Sequence, residues 1–426
     1  PELSRRERAI VALQPYSGKS ICSPLRPFKT TISIDEARRR LAANVRPIGR
    51  TERVPLADAA GRVVASDLRS MIAVPPFVRS AMDGYAVIAA DTAGASAASP
   101  VQLRVIERIY TGGMPTSVVS PGTCAEIATG APLPEGADAV VMVEQTVPAA
   151  GARVGIVTSA SAGQHIGRRG ADIAEGDLVV REGDWLSPSR VGAIAAIGCA
   201  GIDVYARPRV AILSTGNEVI DPGTPLKGGQ IYDVNRFTLG AVVAQHGGEP
   251  LLQAPVPDTL EALTAALGRT GGADVVIFSG GSSVGERDLV TDLIAAAGET
   301  IFHGIAVRPG KPTAFALVGG RPFFGMPGNP TSCLSNAYIL LVPFLRATGR
   351  LPLFEPRRIS LPLGRSIVSP AGRHQFYTVR IQDGVALPAF KGSGEITSLS
   401  QADGYIEIPS DQSTVDEGAL VDVILF

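Results

Sequence analysis

The sequence predicts a multi-domain α/β plus β protein, with one helix-covered, mainly parallel sheet flanked by β-rich modules. Three observations predict it. Between about 209 and 348, strand-like and helix-like segments alternate: "RVAIL", the glycine turn "STGNEV", "NRFTLGAVVAQHGG", "PDTLEALTAALGRTGG", "DVVIF" and the glycine turn "SGGSSVG". That is the pattern of βαβ units. Residues 76–165, and again those beyond 351, carry short β-branched runs divided by turns, the texture of compact β modules. The 426 residues correspond to about three domains of ordinary size.

Residues 1–30 are basic and punctuated by Ser and Pro, which reads as an extension without assigned function. "TISIDEARRRLAANV" places Ser33 as a cap, Glu36 three residues on, and Ala37, Leu41 and Ala42 on one face, predicting a capped amphipathic helix. The strands of 76–165 include "VQLRVIERI" and "ADAVVMVEQTV", separated by "TGGMP" and "APLPEG". "DWLSPSRVGAIAAIGCAG" offers Ser187 as cap, Pro188 at the first helical position and glycines at the far end. "YARPRV" reads as a linker. In the α/β region, His246 before Gly247 marks a helix end, and Asp258 with Glu261 predicts a capping box ahead of Leu260, Leu263 and Leu267. In "GNPTSCLSNAYILLVPFL", Asn329 is placed to cap, Pro330 to open the first turn and Pro343 to kink the middle. "RRISLPL", "QFYTVRI" and "YIEIP" then predict a small β-barrel or sandwich.

Composition narrows the class. Hydrophobic residues make up 45% and charged residues 19%, the balance of a soluble globular protein. With 39 Lys+Arg against 40 Asp+Glu, no global field draws in nucleic acid or an acidic membrane, so any anion site is local. Cys22, Cys124, Cys199 and Cys333 form no CxxC pair, which points to reduced thiols and a cytoplasmic location. "VGAIAAIGCAGI" is too short to cross about 30 Å of hydrocarbon. The opening "PELSRRERAIVAL" is a poor signal peptide, although residue 1 is not Met and a removed leader stays open.

In a parallel sheet, ligands bind beyond the carboxyl ends of the strands. "STGNEV" and "SGGSSVGERD" (279–288) both sit there. Glycines admit a phosphate close to the backbone and serines donate to it, while Glu218 and Asp288 accept an anion only with a cation between. The plain alternative is that Gly280 and Gly281 merely turn the chain and the acids are solvated. Neither a GxxxxGK[ST] loop nor a true dinucleotide fingerprint is present. In "VRPGKPTAF", Arg308 and Lys311 flank a Pro-Gly turn suited to a tetrahedral oxyanion, or else are solvated loop cations. "GMPGNPTS" sets Gly328, Asn329, Thr331 and Ser332 at a predicted helix start. Three such turns together argue for a large, multiply charged ligand. Asp83 in "SAMDGYAV" reads as a turn residue, and Asp172 in "GRRGADIAEGD" as an ion-pair partner of neighbouring arginines. His165, His246, His303 and His374 lack metal-ligand spacing, and no Ser-His-Asp or Cys-His set can be assigned.

Taken in order, "PPFVRSAMDGYAV", "TGAPLPEGADAVVMVE", "GRRGADI", "STGNE", "IYDVNR", "SGGSSVGERD", "VRPGKPTAF" and "GMPGNPTS" resemble the molybdopterin molybdenumtransferases, the family that includes the gephyrin E-domain. The resemblance spans roughly 31 to 426. It implies the last step of molybdenum cofactor assembly, in which adenylylated molybdopterin and molybdate give the cofactor and AMP with the help of Mg2+. It implies an N-terminal extension (1–30), a discontinuous helical and extended domain (31–75 and 166–207) and a β-rich insert (76–165). A three-layer α/β molybdopterin-binding domain (208–350) and a C-terminal β-barrel (351–426) complete the expected fold.

It further implies a homodimer in which Asp83 and Thr129 of one subunit approach the other's site around Glu218 and Asp288, with a molybdopterin adenylyltransferase as upstream donor. Catalytic roles fall on Asp83, Thr129, Asp172, Glu218 and Asp288, the last two also as metal ligands. Substrate contacts fall on Ser279, Gly280, Gly281, Ser282, Arg308, Lys311, Pro327, Asn329, Pro330, Arg373 and Ser398. Gly304 stands where the family often has lysine, Arg308 where lysine is frequent, and Ser400 aligns nearly as well as Ser398. The alternatives are a non-catalytic dimeric scaffold or cofactor-binding protein of the same fold, or a tungstate-selective homologue.

Overall fold

The computed structural model describes residues 31–280, 289–369 and 372–426. The chain forms two compact units: one runs to Glu52 and resumes over Tyr205–Phe426, the other is Arg53–Val204. Among the described residues no helix is long and apolar enough to cross a membrane.

The first unit is built on a six-stranded sheet. Its elements are β1 (Arg209–Ser214), α1 (Asn235–Gln245), β2 (Glu249–Leu252), α2 (Leu260–Gly268), β3 (Val275–Ser279), α3 (Leu289–Ala297), β4 (Gly298–His303), β5 (Ala314–Val318), β6 (Arg321–Met326) and α4 (Pro330–Asn336). The strand order is β2-β1-β3-β6-β5-β4. The first four strands are parallel, as the alternating pattern predicts, whereas β5 runs antiparallel to both β6 and β4. A two-residue Gly319-Gly320 turn joins β5 to β6, and so short a link can only produce a hairpin.

Alternation along the strands feeds two cores. Val210, Ile212, Val275 and Ile277 pack with Leu239 and Val243 of α1, while Ala211, Leu213, Val276 and Phe278 pack with Leu263 of α2 and Leu293 of α3. Period-two geometry sends neighbouring side chains to opposite faces, so continuous apolar strands require a helix cover on each side. The helix Ile34–Ala43 also belongs here. Ser33 caps it by accepting the Glu36 N–H at 3.2 Å, and Ile34, Ala37 and Leu41 bury against Ile305 and Val307. Its apolar face therefore meets the α/β core.

One local expectation is corrected, and a second feature was not foreseen. The cap of α2 is Thr259, whose hydroxyl accepts the Ala262 N–H at 3.2 Å; Asp258 instead accepts a hydrogen bond from the Thr215 hydroxyl. Near Pro343, the final helix carries a π segment over Ala337–Leu341 before resuming at Val342–Thr348. Proline has no N–H to donate and its ring crowds the preceding turn, and the wider π turns accommodate it.

α1 ends at His246, as expected. This imidazole is only 4% exposed and lies 4.9 Å from the Phe354 ring. Burial, with Arg346 nearby, pushes its pKa down from 6.5 to about 4. The unfolded chain therefore binds a proton that the folded chain refuses. This contribution to stability is complete above about pH 6.5 and is lost as pH falls through 6.5 toward 4. The melting temperature should drop across that window, and His246→Phe should flatten the drop; an unchanged pH profile in the variant would remove His246 from this role.

The C-terminal strands Arg358–Pro362, His374–Gln382, Val385–Pro388, Gly404–Ile408 and Leu420–Leu425 share one sheet, to which the short strand Val307–Arg308 adds in parallel along His374–Gln375. Leu363 bridges to Ala386, so the path from Arg358–Pro362 returns toward Val385–Pro388.

The second unit holds another six-stranded sheet, in the order Ala139–Met142, Gly84–Val87, Thr123–Ile127, Val101–Ile109, Arg153–Ile156 and Thr146–Pro148. Val87, Leu103 and Val141 fill one face of it and Ala86, Ile127 and Val140 the other. Ser187 caps the helix Pro188–Ala196 with Pro188 in its first turn, as read from the sequence. Leu68–Arg69 pairs with Leu178–Val180 and Arg79–Ser80 with Ile166–Gly167, which gathers segments distant in sequence into one extended region.

Candidate functional site

The strand order places β2 and β3 on opposite sides of β1, so the chain leaves the carboxyl ends of β1 and β3 in opposite directions. A crevice opens where they diverge. Here it is a cavity of ≈ 1150 Å³ lined from β1 by Ser214, Thr215 and Glu218, from β3 by Ser279 and Gly280, and after β6 by Pro327, Gly328, Asn329 and Pro330. The crevice is held shut at its base: the Thr215 N–H donates to the Ser279 carbonyl at 2.8 Å and the Gly280 N–H to the Met326 carbonyl at 3.2 Å. At Gly280, φ is +101°, and a Cβ would lie 2.3 Å from the Thr215 carbonyl oxygen. Only glycine fits. Gly281, Ser282, Glu286 and Asp288 lie outside the described residues, although Gly280 and Leu289, which border that segment, both line the cavity.

Among the described residues, four cations line the cavity: Arg308, Lys311, Arg373 and Lys391. Two of them arrive by strand pairing, because the register Val307↔His374 and Arg308↔Gln375 brings Arg308 and Arg373 to one edge. Three acids share the lining, and two are already engaged. Asp233, 3% exposed, accepts from the Ser214 hydroxyl at 2.8 Å and the Arg236 N–H at 3.1 Å, with the Arg236 guanidinium 3.2 Å away. Asp258 takes the Thr215 hydroxyl. Glu218 is exposed and has no side-chain partner among the described residues. Among the described residues, four cations therefore face one carboxylate without a side-chain partner, an arrangement that attracts a polyanion and leaves a hard oxygen ligand for a divalent metal. The described residues contain no group of three His, Cys, Asp or Glu that could hold a metal by themselves.

Several expected donors serve the fold instead. The Ser279 hydroxyl accepts from Asn235 Nδ2 at 2.7 Å and donates to the Pro327 carbonyl at 3.3 Å, and the Gly280 N–H is engaged as described. Neither is available to a phosphate. At the start of α4, Asn329 makes no capping hydrogen bond with its side chain; its Nδ2 donates to Ser393 Oγ at 3.0 Å. The Thr331 N–H goes to the Ser393 carbonyl at 3.1 Å and its hydroxyl to the Glu395 carbonyl at 2.7 Å. A C-terminal loop thus occupies the helix start that seemed suited to an anion. Ser398 is fully buried, where its Oγ accepts the Lys391 N–H at 2.9 Å and the Gly392 N–H at 3.4 Å. It anchors the loop that presents Lys391 and does not line the cavity. Cys333 lies 3.7 Å from Ser279 Oγ, but burial pushes its thiol up to about 12, which removes it as a nucleophile.

Asp83, Thr129 and Asp172 belong to the second unit. Asp83 Oδ1 accepts the Thr129 N–H at 2.7 Å, so the two residues meet across 46 positions. All three are exposed. The ion pair expected for Asp172 is made by another acid: Arg169 lies 3.6 Å from Glu175. Sequence reasoning missed Asp233 and Asn235 as individual site residues, although both stand in the quoted "IYDVNR". It also missed Lys391, since "FKGSG" resembles any turn.

Three family descriptions match the chain in order: "MoeA N-terminal region (domain I and II)" over 32–198, "Probable molybdopterin binding domain" over 211–347 and "MoeA C-terminal region (domain IV)" over 360–426. The chain is 37% identical over 402 residues to molybdopterin molybdenumtransferase 2 of Mycobacterium tuberculosis, covering 92% of this chain and 98% of that one. To the molybdopterin molybdenumtransferase of Haemophilus influenzae it is 32% identical over 400 residues, with the same coverage. A crystal structure of the molybdopterin biosynthesis MoeA protein of Pyrococcus horikosii superposes with a TM-score of 0.80 at 38% identity, covering 93% of this chain and 99% of that one.

Proposed function

The chain belongs to the MoeA-type molybdopterin molybdenumtransferases, and from that premise we propose that its cationic cavity inserts molybdate into adenylylated molybdopterin and releases AMP. The observation that carries this reading is the convergence of Arg308, Lys311, Arg373 and Lys391 on the β1/β3 crevice. A substrate with two ring systems joined by a phosphoanhydride needs a long cavity with its positive charge where the phosphates lie. Side-chain donors supply that charge, because the Gly280 amide and the Thr331 amide at the start of α4 are already engaged.

Arg308 offers a planar fork to phosphate or molybdate oxygens, and Lys311 and Lys391 act as point charges, with the Lys391 ammonium held by Thr397 Oγ1 at 3.0 Å and Gln401 Oε1 at 3.3 Å. Each charge-assisted hydrogen bond is worth about 1.5–3 kcal/mol. Glu218 and Asp288 are the proposed ligands of Mg2+, which neutralises the phosphoanhydride and eases departure of AMP when bound. Glu218 would take the proton that a dithiolene thiol gives up on binding molybdenum and pass it to the molybdate oxygen that leaves as water. In the homodimer we propose, Asp83 and Thr129 of the partner subunit complete the rim, and Asp172 orders water or shuttles protons. A molybdopterin adenylyltransferase supplies the substrate, and the widely spaced thiols suit a cytoplasmic location. The C-terminal strands act as a small barrel that holds Arg373 and Lys391 over the cavity.

Purified protein incubated with adenylylated molybdopterin, molybdate and Mg2+ should release AMP, with tungstate as competitor to read metal preference. No AMP from an intact dimer would favour the scaffold alternative. Asp288→Asn should lower AMP release about ten- to a hundred-fold, since Glu218 remains, while leaving the circular dichroism unchanged. Turnover at the parental rate would remove Asp288 from the site.

A further inference from the structure

Asn336 is wholly buried, at the far end of α4 from Asn329 and Pro330. Its Nδ2 donates to the Gly310 carbonyl at 2.8 Å and to Thr313 Oγ1 at 2.5 Å. Thr313, also fully buried, donates its hydroxyl to the same Gly310 carbonyl at 2.9 Å. The turn between the two cations Arg308 and Lys311 is therefore gripped at its central carbonyl by a side chain that never reaches the cavity surface. The grip is tight: Gly310 has φ +105°, and a Cβ there would lie 2.2 Å from Asn336 Nδ2. Directly after Asn336 the helix widens into its π segment, a feature that shifts side-chain register and is frequent next to functional sites.

We propose that Asn336 is a positioning residue for substrate binding, fixing the Pro-Gly turn so that Arg308 and Lys311 present a pre-formed oxyanion clamp. The inference rests on the reading above of the cavity as a phosphoanhydride site. A buried amide suits the task because it donates two hydrogen bonds from one rigid group, and a turn held this way loses little entropy when the anion arrives. Without it, the cations remain in the chain but their spacing relaxes. Asn336→Leu keeps approximate volume and loses both donors, whereas Asn336→Asp keeps shape and sets a carboxylate oxygen against the Gly310 carbonyl.

The test is calorimetric titration of inorganic pyrophosphate into wild-type protein and the variants, at a temperature well below every melting point, alongside steady-state AMP release. Both Asn336 variants should weaken pyrophosphate binding by about ten-fold and raise KM for the adenylylated substrate more than they lower kcat. A merely structural role would lower the melting temperature and leave the dissociation constant alone; that result overturns the inference. If wild-type protein binds pyrophosphate and Arg308→Ala weakens it while both Asn336 variants bind normally, the cavity reading survives and the positioning role fails. If wild-type protein does not bind pyrophosphate, the cavity reading fails and takes this inference with it. Should the Asn336 variants not fold, Thr313→Val, which removes the second leg of the grip, decides: undiminished binding overturns the proposal.

Discussion

Gly280→Ala should yield a destabilised protein without measurable AMP release. Two costs add at this residue. The backbone sits at φ +101°, where a non-glycine residue stores about 1–3 kcal/mol of strain, and the new methyl meets the Thr215 carbonyl oxygen at 2.3 Å. That carbonyl belongs to the chain leaving β1, so it retreats only if the pairing of Thr215 with Ser279 breaks. The crevice then opens at its base, displacing Glu218 on one side and Gly280 itself on the other. The check is a chemical denaturation midpoint measured beside turnover. Wild-type values for both would mean that the base of the crevice tolerates a side chain and that its geometry does not limit activity.

Removing Arg308 and Lys311 together should be nearly silent in stability and severe in function. Both line the cavity, and neither belongs to the buried clusters. Two charge-assisted contacts at about 1.5–3 kcal/mol each predict a loss of roughly 10² to 10⁴ in kcat/KM for Arg308→Ala with Lys311→Ala. The two effects should not simply add, since the cations flank one turn and face one anion. Arg308→Lys should recover part of the loss, restoring charge without the fork. A double variant with full activity would place the anion elsewhere.

Some of this was legible in the sequence for clear physical reasons. Apolar strands alternating with capped helices predict βαβ packing because each strand must bury both faces, and Val210 to Leu213 do so. Ser33, Ser187 and Pro188 act as predicted because capping is local chemistry. The cationic turn at 308–311 was visible, since its charges and its Pro-Gly core are contiguous. What stayed hidden depends on tertiary partners. Ser279, Gly280, Thr331 and Ser398 look like free donors in sequence, yet each is engaged by groups distant along the chain. Asn336 offered no pattern, because its partners lie 23 and 26 residues away. The packing partners of the helix at 34–43 stayed hidden because an apolar stripe states that a face is buried but not against what.

The most direct test is a crystal structure of the protein soaked with AMP and Mg2+. The account predicts the phosphate among Arg308, Lys311, Arg373 and Lys391, within the crevice between the ends of β1 and β3. A nucleotide bound at another surface, with that crevice holding only solvent, would contradict it.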